Sequence, residues 1–198
     1  DRDETQVFPD RQVVAVPWRE WNREFKATGR HDWTLFGRTH ALQAGYEFRD
    51  ETLDRASLRT DSGAARASRD INIGWLQQEF HAAARLKLTG GFRFDSYSDF
   101  GSSWSPKLSA VYAASARHSL RATYGHGFRA PFFGELFLFT PTFVGNPDLE
   151  PERSRTLSVG YTFGGTTAQL SADYFRAQIE DGITFDLRQL PFTYQNLR

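Results

Sequence analysis

The sequence has 198 residues, in which 24 Lys and Arg are balanced by 24 Asp and Glu, so the formal net charge is zero. A nucleic-acid-binding protein needs a basic excess that this chain lacks, and the length is that of one domain. The sequence contains no cysteine, which excludes disulfide bonds, thiolate metal sites and a cysteine nucleophile.

Apolar residues are distributed finely along the chain. The longest apolar runs have about five residues, whereas a membrane-spanning helix needs roughly 18 or more. Aromatic residues nevertheless make up 15% of the sequence, although the mean hydropathy is −0.55. The chain starts at Asp1 without an initiator methionine or a signal peptide, so we expect it to be the interior of a longer precursor.

The hydrophobic pattern has a period of two, which is the period of a β-strand. From Phe25 to Leu35 the odd positions are mostly apolar and the even positions are polar or charged. The same alternation recurs further along, with a change of parity near Trp75 that predicts a β-bulge. The predicted strands cover residues 25–35, 42–49, 71–80, 86–95, 104–112, 120–129, 156–163 and 168–174, and a ninth begins near Phe192.

Two kinds of connection separate these strands. Short turns are predicted at 36–39, 113–117 and 164–165, and longer polar loops at 50–69, 95–103, 130–153 and 180–191. Short turns at one end and long loops at the other are typical of an antiparallel transmembrane β-barrel. The sequence therefore predicts an all-β barrel segment whose apolar side chains face lipid and whose charged side chains line the interior.

A soluble β-sandwich is the alternative fold, because it also alternates but buries its apolar face. Two features favour the membrane barrel: the alternating loop lengths and the aromatic residues near strand ends, where a barrel has its interfacial girdles. The aromatic residues in question are Trp33, Tyr46, Phe48, Phe92, Phe94, Trp104, Tyr112, Tyr124, Phe128, Tyr161 and Phe163.

Two blocks of sequence carry a family resemblance. The first is Gly127-Phe128-Arg129-Ala130-Pro131, followed by Gly134-Glu135-Leu136-Phe137, and the second is Gly145-Asn146-Pro147-Asp148-Leu149-Glu150-Pro151-Glu152-Arg153-Ser154. In order and spacing they resemble the GF(R/K)AP…EL and GNP(D/N)LxPE(R/K)S blocks of TonB-dependent outer-membrane receptors. Similarity at 97–108 and 173–197 extends the resemblance over residues 35–198.

The resemblance implies a 22-stranded barrel around an N-terminal plug. We therefore expect residues 1–198 to be a partial barrel domain with about eight to nine strands, without the plug, the energy-coupling box or the C-terminal strands. Proteins of this family lie in the bacterial cell outer membrane, and the resemblance implies the same location for this chain. The implied function is TonB-coupled import of a ferric siderophore, cobalamin or similar ligand, with the plug, the TonB complex, membrane lipid and a small-molecule or metal-chelate ligand as partners.

Catalysis has little support in the sequence. The five histidines form no metal-ligand spacing and no G-x-S-x-G elbow occurs, so we expect no enzyme activity, no cofactor and no metal; an outer-membrane hydrolase is the enzyme alternative. His31, His118 and His126 fall on the apolar parity, which indicates interfacial positions. The inward polar residues are expected to face the plug and water; they are Lys26, Arg30, Glu47, Arg49, Lys87, Arg93, Asp95, Arg121 and Arg129.

The family blocks supply the candidate site residues. Pro147 and Pro151 hold the residues before them in extended geometry, which favours a structural brace at the barrel rim, made of Gly127, Phe128, Ala130, Pro131, Asn146, Pro147, Leu149, Pro151 and Glu152. The ring-rich stretch between the blocks either packs over the barrel mouth or contacts an apolar ligand. The candidate ligand-binding residues are Arg129, Phe132, Phe133, Glu135, Phe137, Phe139 and Phe143.

Overall fold

The computed structural model describes residues 2–6, 14–55, 66–165, 168–188 and 190–197. These residues form strands almost throughout, with one short helix. Across the part of the chain so described, no helix combines the length and apolar character that crossing a bilayer requires.

Twelve strands and one helix follow each other along the described residues. In chain order they are β1 (Arg2–Gln6), β2 (Val14–Leu35), β3 (Arg38–Arg55), β4 (Arg66–Ala83), β5 (Leu86–Tyr97), β6 (Gly101–Ala113), β7 (His118–Arg129), α1 (Phe133–Phe137), β8 (Phe143–Val144), β9 (Glu152–Gly164), β10 (Gln169–Glu180), β11 (Gly182–Asp186) and β12 (Phe192–Leu197).

The main sheet is antiparallel and has nine strands in the order β1-β2-β3-β4-β5-β6-β7-β9-β10. Each strand pairs with its neighbour in sequence, apart from the excursion between β7 and β9 that carries α1 and β8. A small second sheet, in the order β11-β12-β8, lies at the long-loop end. Within the described residues β1 and β10 are the two edges, so the sheet is an open segment of a barrel.

The pairing register segregates apolar and polar side chains onto opposite faces. One row across eight strands is apolar or aromatic: Trp33, His40, Phe80, Leu88, Ala110, Ala122, Val159 and Tyr174. The row beside it is mostly polar: Asp32, Ala41, Glu79, Thr89, Ser109, Thr123, Ser158 and Phe175. Because side chains alternate in a strand, neighbouring rows lie on opposite faces.

The exposure of these side chains identifies the outward face. Phe25 and Trp104, on the apolar face, are each 60% exposed. Glu47 and Asp95, on the polar face, are 4% and 3% exposed. A soluble sandwich would bury the rings and expose the charges, so the structure confirms the barrel orientation and rules out the sandwich. We call the ring-bearing face the outward face and the other the inward face.

Aromatic rings form two outward clusters, as predicted for interfacial girdles. At the short-turn end, His31, Trp33, His40 and Phe80 stack in sequence with centroid separations of 5.6, 5.3 and 5.7 Å. At the long-loop end, Trp104 packs on two rings of β5, the nearer at 4.7 Å. The outward placement of His31 is therefore that of an interfacial residue.

The predicted bulge at Trp75 is wrong. Pairing of β4 with both neighbours runs regularly through this residue, and the register shift lies between His81 and Ala83. Trp75 is on the inward face opposite Gly45, where an added Cβ would lie 2.5 Å from the indole ring. Since a glycine opposite the ring provides the space, the strand accommodates Trp75 on its polar face without a bulge.

Several predicted loops are also wrong. Strand β3 continues to Arg55 and β4 begins at Arg66, so every residue of the predicted loop 50–69 that the structure describes is strand. The predicted loop 95–103 is a tight connection of residues 98–100, followed by Gly101 at φ +74°. The inward side chains in the extended part of β4, Ala67 and Arg69, are buried but small or charged, so the hydrophobic pattern fades although the pairing persists.

The remaining connections differ from prediction in smaller ways. Loop 130–153 contains α1 and β8, and loop 180–191 contains β11. The turn at 164–165 is longer than two residues, because β10 begins only at Gln169. The first predicted strand starts eleven residues earlier than expected, since β2 begins at Val14 and the prediction at Phe25. Turns at 36–37 and 114–117 are confirmed.

Candidate functional site

The residues between β7 and β9, 130–151, form a folded cap that we call the rim segment. The chain leaves β7 at Arg129, makes one turn of helix in α1, and returns through β8. The Gly145 and Asn146 amides donate to the carbonyls of Leu138 and Glu135, at 2.6 and 2.8 Å. These hydrogen bonds close the rim segment on itself, so it has one defined conformation.

Arg129 is the hub of an ionic cluster at the start of the rim segment. Its Nε and Nη2 donate to both carboxylate oxygens of Glu152 at 2.7 and 2.8 Å, and its Nη1 donates to Glu135 at 3.0 Å. Glu135 also accepts the Phe132 amide at 2.8 Å, and Glu152 accepts the Ile183 amide at 2.7 Å. The two predicted polar anchors, Arg129 and Glu135, are therefore bound to each other and brace the rim.

A second arginine, Arg69 on β4, holds the rim segment to the inward face. It is 5% exposed, and its guanidinium donates to Asp99 at 2.7 Å and to the Pro131 carbonyl at 3.0 Å. The rings of Phe100 and Phe133 lie 5.1 and 4.9 Å from its Cζ. Sequence reasoning missed Arg69 because it lay in a predicted loop, although it shares the inward parity of Ile71 and Ile73.

Two asparagines tie the second family block to the small sheet. The Asn146 side chain donates to the Tyr194 carbonyl at 2.9 Å and accepts the Asp148 amide at 3.0 Å. The Asn196 side chain accepts the Glu150 amide at 2.9 Å and donates to the Glu150 carbonyl at 2.8 Å. Residues nearly fifty positions apart in sequence are thus joined backbone to side chain.

Close packing explains why position 145 of the rim segment is a glycine. A Cβ on Gly145 would lie 2.6 Å from the Leu136 carbonyl oxygen and the Phe137 amide nitrogen. Leu136 and Leu149 are both buried. The brace residues Ala130 and Pro131 are buried as well, beside Arg69. The family blocks therefore provide the packed interior of the rim.

The five candidate rings do not form one surface. Phe133 packs against Arg69, and Phe143 contacts Phe185 and Phe192 of the small sheet, at 5.9 and 5.6 Å. Phe137 is partly buried within α1. Phe132, which lies 5.2 Å from the Arg129 Cζ, and Phe139 are the exposed ones.

Titratable groups of the small sheet are perturbed by local contacts. Arg188 donates two hydrogen bonds to the Asp186 carboxylate from its side chain and one from its backbone amide. These hydrogen bonds lower the pKa of Asp186 to about 2. Burial of the Tyr194 phenol raises its pKa above the usual value. The small sheet therefore carries a charged pair on its surface and a neutral tyrosine beneath the rim.

The predicted inward polar residues pair mainly with one another. Lys26 lies 3.6 Å from Glu47, Arg93 is bidentate to Asp95, and Glu47 also pairs with Arg49. One further pair, Arg121 with Asp173 at 2.5 Å, spans β9 above Gly160, which has no side chain to separate them. In the described ranges, no group of three or more His, Asp or Glu residues is arranged to hold a metal ion.

The outward face carries aromatic rings in two girdles, the inward face carries ion pairs, and each strand pairs antiparallel with its neighbour in sequence. These features define a segment of a transmembrane β-barrel. The family model described as TonB dependent receptor-like, beta-barrel, matches residues 2–197, and the chain belongs to this family. Barrels of this family are located in the bacterial outer membrane.

Named relatives and a solved structure agree with this assignment. The chain is 31% identical, over 73% of its length, to the iron-regulated outer membrane virulence protein of Vibrio cholerae, and spans 23% of that protein. It is 30% identical, over 61% of its length, to the vitamin B12 transporter BtuB of Vibrio vulnificus, spanning 19% of it. The siderophore receptor PirA of Pseudomonas aeruginosa superposes on 94% of the chain, which covers 39% of PirA, with a TM-score of 0.80 at 20% identity.

Proposed function

We propose that this chain forms part of the barrel wall of an outer-membrane receptor that imports a scarce ligand, a ferric siderophore, cobalamin or a similar molecule, by TonB-coupled active transport. The observation that carries the proposal is the braced rim segment at the long-loop end, held to the inward face by Arg69 and Arg129. The names of the relatives, an iron-regulated outer membrane protein and a vitamin B12 transporter, support the ligand classes.

In this proposal the barrel wall is passive and the plug does the moving. The chain spans about a quarter of the relatives it matches, so we assign the plug to another part of a longer protein. The inward ion pairs, such as Arg93 with Asp95, leave polar groups at the wall surface for the plug and water to contact. An inner-membrane TonB complex supplies the work by pulling on the plug.

The ligand contacts that we propose are the exposed rings of the rim. Phe132 and Phe139 are 64% and 43% exposed, and a ring of this kind provides apolar contact area at low entropic cost. Arg129 and Glu135 act on the ligand indirectly, by fixing the turn that carries Phe132. The half-buried rings Phe133, Phe137 and Phe143 pack within the rim and against its neighbours.

Import leaves the ligand chemically unchanged, so the proposal includes no catalytic residue and no cofactor. The alternative of an outer-membrane hydrolase has no observation in its favour. Among the hydrogen bonds of the described residues, histidine rings meet Tyr161, Gln78 and Tyr124, not a serine hydroxyl.

The test is uptake by cells whose only high-affinity receptor is the full protein that contains this chain. Radiolabelled ferric siderophore and cobalamin are offered separately, with and without a protonophore. We expect one of them to accumulate only while the proton gradient is intact. Uptake that persists after the gradient collapses, or no uptake of either class, would contradict the proposal.

A matched pair of variants tests the rings. Combined Phe132→Ala and Phe139→Ala should raise the half-saturating ligand concentration by about 30-fold, since each of the two lost aromatic contacts contributes roughly 1 kcal/mol. The control is Phe36→Ala, a 92% exposed ring at the short-turn end, which should leave uptake unchanged. Equal effects of the two changes would show that the rim rings do not contact the ligand.

A further inference from the structure

Outward-facing arginines lie together where β9 and β10 reach the long-loop end. Arg153 and Arg155 share the parity of Leu157 and Val159 on β9, and Arg176 of β10 is paired directly with Leu157. The side chains of all three arginines are exposed. In a barrel wall this parity faces lipid, so these cations are on the membrane side of the protein and not in its interior.

The height of the cluster places it at the membrane surface. From Phe163, in the short-turn girdle, Arg155 and Arg153 lie eight and ten residues back along β9. At about 3.4 Å per residue and a tilt of about 40°, these spacings correspond to roughly 21 and 26 Å along the bilayer normal. The apolar band of such barrels is about 25 Å tall. The guanidinium groups of Arg153 and Arg155 therefore reach the headgroup layer, where charge facing outward carries little penalty. Arg176 is level with Leu157, roughly 16 Å from Phe163, and lies within the apolar band.

A groove lies beside the cluster, where two strands separate. Pairing between β6 and β7 stops at Lys107 and Gly125, short of the strand ends. The cavity above this point has a volume of about 220 Å³. Its outward-facing lining residues are Ser102, Trp104, His126, Arg153, Arg155 and Glu180.

The charge in this sector is unbalanced. Glu180 lies opposite Arg153 in the register and pairs with Arg155 at 3.2 Å, so two outward arginines share one carboxylate. The outward face of β2–β4 at the same end differs, because three aspartates match its three arginines: Asp54 lies opposite Arg19 and Arg66, and Asp50 lies opposite Arg23 and Asp70 in the register. Net positive charge therefore borders the groove, whereas the outward face of β2–β4 is balanced.

We propose that this outward cluster is a binding site for the phosphorylated headgroup of an outer-leaflet lipid. The guanidinium fork matches phosphate oxygens in bidentate geometry. The neighbouring Trp104 indole, 60% exposed, has the amphipathic character that favours the interface between headgroups and acyl chains. Phosphate in the groove would neutralise Arg153 and Arg155 at the level where the bilayer places it.

The experiment uses the full receptor, purified from outer membranes in mild detergent, with bisphosphorylated lipid A as the probe. Binding is measured by native mass spectrometry across a titration. The site variant is Arg153→Gln with Arg155→Gln, and the matched control is Arg23→Gln with Arg66→Gln, two outward arginines from the balanced sector. Heat-modifiable migration on gels verifies that each variant is folded.

The site variant should bind lipid A about 10- to 30-fold more weakly, while the control binds like the parent. Dephosphorylated lipid A should bind the parent as weakly as it binds the site variant. Equal affinity of parent and site variant would overturn the proposal, as would equal binding of the phosphorylated and dephosphorylated lipids. Complete displacement of lipid A by millimolar inorganic phosphate would identify a free-phosphate site and refute the lipid assignment.

Discussion

Replacing Arg69 with alanine removes the side chain that connects three parts of the chain. Its guanidinium joins β4 to Asp99 in the β5–β6 turn and to the Pro131 carbonyl in the rim segment. The variant leaves the buried carbonyl without its donor and the Asp99 carboxylate without its partner. The rings of Tyr97, Phe100 and Phe133 lose their contact with the cation.

The magnitude follows from the contacts that are lost. A hydrogen bond from a charged donor to a buried carbonyl contributes about 1.5–3 kcal/mol, and each cation–π contact about 0.5–1 kcal/mol. Breaking a buried ion pair on one side costs about 3–5 kcal/mol. Because Asp99 is partly exposed and is rehydrated in the variant, we expect about 3–4 kcal/mol, concentrated in the docking of the rim segment.

Hydrogen exchange of the folded receptor measures this loss locally. The amides of Leu136 and Leu138 donate within α1 and at its end, to Phe132 and Gly134, and they exchange when the rim segment opens. A loss of about 3 kcal/mol accelerates their exchange by roughly 100-fold. Arg69→Lys keeps the positive charge but loses the planar guanidinium that donates in two directions, so we expect an intermediate acceleration of exchange.

The control is Arg66→Ala, three residues earlier on the same strand but on the outward face, where it contacts only the Trp21 ring among the contacts described. This change should alter exchange of the rim amides by less than about 3-fold. If Arg69→Ala and Arg66→Ala gave the same rim exchange, the brace assigned to Arg69 would be wrong.

Three further expectations concern the rim, the small sheet and the isolated chain. Gly145→Ala places a methyl group 2.6 Å from the Leu136 carbonyl oxygen and should destabilise the rim by about 1–3 kcal/mol in urea unfolding, whereas unchanged unfolding would refute the close packing. The pKa of Asp186, about 2, is below its usual value. The ion pair with Arg188 should therefore persist from neutral pH to about pH 4 and be lost progressively between about pH 4 and 2. An NMR titration of the Asp186 carboxyl with a midpoint near pH 4 would contradict this. The chain produced alone exposes two sheet edges and an apolar face, and should aggregate in plain buffer, so a stable monomer by light scattering would be the contrary result.

The family blocks could be located from the sequence, but their partners could not. Pro131 lies inside a recognisable block, whereas the residue that holds it, Arg69, is 62 positions away in a stretch without an alternating pattern. Likewise Arg129 and Glu135 were identified as site residues, but only the structure shows them bound to each other and to Glu152. Contacts between distant residues depend on the strand register, which local composition does not specify.

The alternation of side chains by itself determined the fold class and the direction each face looks, because a bilayer on one side and water on the other impose opposite chemistry on successive residues. The tertiary structure alone decided how far the strands extend and how the rim is closed. At the long-loop end the inward side chains of β4 are buried, but Ala67 and Arg69 are small or charged, so strand pairing there leaves no hydrophobic periodicity in the residues. The docking of the rim on Arg69 arises from packing between β4, the β5–β6 turn and α1, three elements that meet only once the sheet has formed.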